Sequence, residues 1–131
     1  MSLGELVKTV RALSPQSTLG GAVTGVAIDR KGYQSAVFTV ITGAIGGTPD
    51  ATTCAVQITE CATSGGTYTN ISGATATLTI ANTVAEVNLE IGGNLGFLQL
   101  SETTTFTGGS TPTLLLGATC TLGKFSGLYP V

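Results

Sequence analysis

The chain has 131 residues, long enough for one domain with a real core, and its 7 acidic and 5 basic residues leave a net charge of −2 and a pI of about 4.8. Charged residues make up 9% of it and mean hydropathy is +0.42, whereas an ordinary soluble domain is about 25% charged. Lys8, Arg11, Arg30, Lys31 and Lys124 are too few and too scattered for a nucleic-acid-binding stripe, no apolar run reaches membrane-spanning length, and the absence of histidine removes the usual neutral-pH base and the commonest metal ligand.

Residues 1–21 read as an N-terminal arm and linker, and 22–131 as a β-sandwich domain. Within MSLGELVKTVRAL, Leu3, Leu6, Val7, Val10 and Leu13 fit a helical stripe, and the same residues fit an extended arm or edge strand. Ser14-Pro15 is expected to stop either structure, and residues 16–21 to form a polar, glycine-ended linker. Glu5, Lys8 and Arg11 interrupt the place where a secretory signal needs apolar residues, so the expectation is assembly in a cytoplasm.

Residues 22–42, AVTGVAIDRKGYQSAVFTVIT, read as two strands joined in a hairpin by Asp29-Arg30-Lys31-Gly32. Asp29 is placed to bond the turn backbone and Gly32 to take a positive φ. Ala36, Phe38 and Val40 share one face, and Val37 and Ile41 the other. With large apolar groups on both faces, this second strand is expected to be central and covered on both sides. Residues 43–50 read as a loop. The strand 52–60 puts Cys54, Val56 and Ile58 inward and Ala55, Gln57 and Thr59 outward.

After a turn at Ser64-Gly65-Gly66, residues 67–72 and 75–80 read as separate short strands, the second with Ala76, Leu78 and Ile80 inward. Residues 84–91 alternate most clearly, with Ala85, Val87, Leu89 and Ile91 on one face and Glu86, Asn88 and Glu90 on the other. Leu95–Ser101 and Pro112–Leu122 supply the last strands, the latter with Leu114, Leu116, Ala118, Cys120 and Leu122 on one face. Between them residues 103–111 read as a projecting loop with Phe106 at its tip. The tail 123–131 carries Phe125, Leu128 and Tyr129, apolar groups that need a surface to cover them. Short strands at this spacing predict an all-β fold, an antiparallel sandwich of jelly-roll-like kind with an N-terminal arm.

Chemistry is sparse. The odd cysteine count argues for free thiols, with Cys54 and Cys120 as small core hydrophobes. Glu86 and Glu90, four apart on one strand face, stand about 13 Å from each other at ~3.3 Å per residue, beyond the reach of a glycosidase pair. No cysteine pair has zinc spacing, no glycine run continues into a phosphate loop, and no loop has the oxygen density of a calcium site. The expectation is therefore no catalytic residue, no metal and no cofactor. A surface short of charge fits a protein that lives covered by neighbours. The rival reading is a carbohydrate- or receptor-binding module that uses Phe106 and the Tyr68 turn.

The order of short motifs adds a resemblance. Val10-Arg11-Ala12-Leu13 with Pro15, Asp29 with Gly32-Tyr33, Gly43-Ala44-Ile45, Gln57 with Glu60, and the turn Ser64-Gly65-Gly66-Thr67-Tyr68 together resemble small tailed-bacteriophage virion proteins of the capsid decoration or head-associated type. The likeness runs through residues 7–70. It implies a non-enzymatic cement subunit on the capsid exterior, bound to the major capsid protein and to sister copies, with a trimer favoured by analogy. On that reading Leu3, Leu6, Val7, Val10 and Leu13 of the arm and Phe125, Leu128 and Tyr129 of the tail are the candidate capsid or subunit contacts. A tail or neck component of the same fold is an alternative place on the particle.

Overall fold

Apolar side chains that alternate with threonine, serine and alanine favour pleated strands, because each strand can bury one face and wet the other. In the computed structural model, which describes residues 7–91 and 95–124, this alternation becomes nine strands, with no helix among the described residues. They are β1 (Val7–Thr18), β2 (Gly21–Thr24), β3 (Ile28–Asp29), β4 (Ser35–Gly46), β5 (Ala51–Cys61), β6 (Thr69–Leu78), β7 (Val84–Glu90), β8 (Phe97–Thr107) and β9 (Thr113–Gly123). The first sheet has the order β1-β9-β4-β7 and the second β2-β8-β5-β6, with β3 also on β8. Every pairing is antiparallel. The two sheets close on each other as a sandwich.

The core lies between them. Ala36, Phe38 and Val40 of β4 and the five alternating residues Leu114 to Leu122 of β9 face Cys54, Val56 and Ile58 of β5 and Leu98 and Leu100 of β8. Burying a ring such as that of Phe38 contributes about 2–3 kcal/mol in transfer terms. The inward sets expected for 84–91 and 112–122 are those observed, although Ala85 and Leu89 remain half-buried.

Several local expectations are overturned. The stretch 22–42 is not a hairpin: β2 and β3 pair with β8 in the second sheet, while β4 pairs with β9 and β7 in the first. The turn at 29–32 therefore carries the chain from one sheet to the other. Its chemistry is as expected, since the Lys31 N–H donates to Asp29 Oδ1 at 3.0 Å and Gly32 sits at φ 88°. β4 is central, but only one of its faces is covered; Ile41 is 50% exposed. Residues 43–46 extend β4 instead of opening a loop, and 103–107 extend β8. Phe106 is thus on a strand, half-buried against the core.

Ser14-Pro15 does not stop the chain. β1 runs through it, because an edge strand can carry a proline where the ladder slips, and the register with β9 shifts on either side of Leu13. From Val7 onward the open choice for the N-terminal segment resolves to strand. Residues 67–72 and 75–80 belong largely to one strand, β6, which bends at Gly73 with φ 79°. Ile80 lies beyond its end, exposed. Thr59 is buried, with its hydroxyl donating to the Gln99 carbonyl at 2.9 Å.

Candidate functional site

The outer face of the first sheet carries several exposed apolar side chains. Residues directly opposite in an antiparallel ladder point the same way, so the register defines rows across β1, β9, β4 and β7. One row is Arg11, Thr119, Thr39 and Glu86. The row beside it is Gly117, Ile41 and Val84. Ile41, Leu115 and Val84 are 50%, 47% and 57% exposed. They stand together in a patch rather than singly.

The backbone builds a groove into this patch. β1 bulges after Leu13, and Pro15 comes over Gly117, so that a Cβ at 117 would stand 3.3 Å from the proline Cα. Leu115 leans across Gly43 in the same way. The result is a groove of 710 Å³ floored by the two glycines and walled by Pro15, Ile41 and Leu115, with Arg11 at its rim. At the β7 side, the buried Thr42 hydroxyl donates to the Ile80 carbonyl at 2.8 Å and accepts from the Thr83 N–H at 3.2 Å. That pins the turn which presents Val84.

Inside the sandwich a second polar constellation stands out. Glu102, on the inner side of β8, is fully buried. Its Oε2 accepts from the Thr104 hydroxyl, and its Oε1 has no hydrogen-bond partner among the described residues. Burial, the nearby Glu102 charge and a hydrogen bond to Glu102 push the Cys54 thiol up to about 12. Burial alone does the same to Cys120. All three cysteines are free and buried. The Cys54 and Cys120 thiols are protonated at neutral pH and poor nucleophiles. Among the described residues no three His, Cys, Asp or Glu side chains gather into a metal-binding group.

Of the residues expected to make outward contacts, Leu13 is 2% exposed and belongs to the core, with Val10 packed against it. Val7 is half-buried on β1 opposite Gly123. Leu3, Leu6, Phe125, Leu128 and Tyr129 lie outside the described residues. The motif residues are structural: the Gln57 amide donates to the carbonyls of Ile58, Ile71 and Ala74 across the β5–β6 irregularity, and Glu60 Oε1 accepts from the Leu95 N–H. Tyr68 donates its hydroxyl to the Ser64 carbonyl at 2.9 Å. Ile41 was visible in the sequence as an apolar residue on the second face of a strand. Leu115 and the glycine floor carried no local signal.

No protein-family model and no curated protein matches the sequence. Among solved structures the chain is distantly similar to the CBM22-1–GH10 modules of endo-1,4-beta-D-xylanase 10B from Clostridium thermocellum, solved with xylohexaose. There the TM-score is 0.41 and identity 12%, over 95% of this chain and 27% of that one. It is also similar to a family two carbohydrate esterase from Cellvibrio japonicus, with TM-score 0.28 and 12% identity over 95% of this chain and 36% of the other. The chain thus spans about a third or less of those enzymes, and likeness this distant bears on neither ligand nor activity.

Proposed function

We propose that this protein is a non-enzymatic structural subunit that works by packing against neighbours, in the form of a capsid decoration subunit on a tailed-phage head. The observation that carries the reading is the outer face of the first sheet, where Ile41, Leu115 and Val84 stand exposed around a glycine-floored groove. A chain with 9% charged residues that also displays such a patch gains by covering it, at roughly 25 cal/mol per Å² of apolar area less the cost of ordering. The major capsid protein and sister copies are the partners that the motif resemblance implies. Co-sedimentation with purified phage heads tests this: the chain is expected to pellet with heads and not without them. A chain that stays in the supernatant at every concentration overturns the decoration assignment.

The second reading, a carbohydrate- or receptor-binding module, rests on Phe106 and Tyr68. Phe106 packs inward from β8, and Tyr68 directs its hydroxyl to its own turn, which leaves Tyr68 as the aromatic on which that reading rests. Specific binding on a glycan array, lost in Tyr68→Ala, would support it.

A further inference from the structure

The row through Arg11 determines what fits on the open face. Arg11 stands on β1 and Glu86 on β7, at opposite margins of one sheet, with Thr119 and Thr39 between them. Three strand spacings separate the two charges, about 14 Å at 4.7–4.9 Å each. They are too far apart to pair within one chain. They are, however, in the same row, and the apolar groove occupies the rows beside it.

We propose that a second copy of this chain covers the outer face of the first sheet, related by a two-fold axis that runs along the strands midway between β9 and β4. This rests on the docking reading above and names the partner. Such an axis turns one face onto the other, exchanges β1 with β7 and β9 with β4, and leaves every row opposite itself. Arg11 then lies over the partner's Glu86, and Glu86 under the partner's Arg11, so one interface gains two ion pairs from a single row. In the neighbouring row the partner's Ile41 comes down beside Pro15, which covers Gly117, into the groove between Pro15 and Ile41. Thr39 meets the partner's Thr119, placing hydroxyl against hydroxyl between the charges and the groove.

Packed sheets stand about 10 Å apart and cross at about −30°. That angle displaces the outer strands, roughly 7 Å from the axis, by only about 4 Å, within the reach of an arginine. A face matched to itself suits a closed pair, whereas a three-fold ring needs two different surfaces that fit each other. The structure thus points to a dimer in place of the trimer that the motif resemblance implies.

Native mass spectrometry and sedimentation equilibrium on the full chain test the proposal. The expected species has twice the 13.1 kDa of one chain. Arg11→Glu and Glu86→Arg each set two like-charge pairs in the interface, and each is expected to raise the dissociation constant about tenfold. Combined in one chain they recreate the pairs with reversed polarity, and the constant should return to within about threefold of the original. Ile41→Asp, at the groove, should raise it about a hundredfold. Circular dichroism confirms that each variant is folded. A monomer at all concentrations, a trimer, or a dimer whose charge reversals do not compensate overturns the proposal. A monomer that still pellets with phage heads removes the dimer and leaves the decoration reading standing; a compensating dimer that ignores heads does the opposite.

Discussion

Thr104→Val is the sharpest single test of the buried constellation in the second sheet. Glu102 is fully buried, its Oε1 has no partner among the described residues, and the Thr104 hydroxyl donates to Oε2, beside the hydrogen bond of the Cys54 thiol to the same carboxyl group. Valine keeps the shape of threonine and removes that donor. Leaving a buried acceptor unmatched costs about 1–3 kcal/mol. In a domain of this size 1 kcal/mol shifts Tm by about 3–5 °C, so a fall of roughly 3–15 °C is expected. Glu102→Leu/Thr104→Val removes both partners and should unfold at or above the original urea midpoint, because replacing a poorly satisfied buried polar group by an apolar one is neutral or stabilising. Urea unfolding of the four members of the cycle, with unchanged m-values, isolates the coupling. If Thr104→Val is harmless, or if the double variant loses several kcal/mol, the carboxyl is held by something other than Thr104 and the reasoning fails.

Other expectations follow from the same packing. Because burial raises Cys54 and Cys120 to about 12, both thiols hold their protons more tightly folded than unfolded; stability should be level below pH 9 and fall as pH rises from 9 toward 12. A pH series of urea midpoints reads this directly, and a rise over that window would contradict it. The same two thiols should react with a disulfide reagent at neutral pH only after denaturant is added. Gly25→Ala should destabilise severely, by more than about 3 kcal/mol, since its Cβ would stand 2.1 Å from the Ala12 carbonyl oxygen, where β1 meets the β2–β3 junction; a thermal melt within 3 °C of the parent would refute it. Deleting residues 1–13 removes the buried Ala12 and Leu13, and circular dichroism should show loss of cooperative unfolding.

Where one strand's periodicity carries the information, the sequence was legible. Residues 84–91 and 112–122 alternate cleanly, and their inward residues are those of the core. Pairing was not legible, because Asp29-Arg30-Lys31-Gly32 is good turn chemistry whether the flanking strands pair with each other or enter different sheets. Only the distant partners β8 and β9 decide between these. Residues 103–107 read as a loop because threonine is polar, yet its branched Cβ suits a strand, and Thr104 is buried. Pro15 reads as a terminator in the sequence, yet its effect depends on the neighbour: at an edge, in a bulge, no ladder bond is lost. Part of the exposed apolar face is legible in Ile41. The rest needs the register, since Arg11 and Glu86 share a row only once β9 and β4 lie between them.

The pairing of β1 with β9 sets a condition on how the molecule is made. Val7 stands opposite Gly123 and Thr18 opposite Leu114, so the first described strand waits for the chain to emerge as far as residue 123 before it finds its place. Such distant closure is slow, and until it happens β9 and the growing chain present unpaired margins to each other and to other nascent copies. Synthesis rate and temperature should therefore govern the yield of native protein more strongly than its final stability does. Because the paired strands bring both ends of the described chain to one place, a linker across that seam, with new ends cut elsewhere, should leave the sandwich intact.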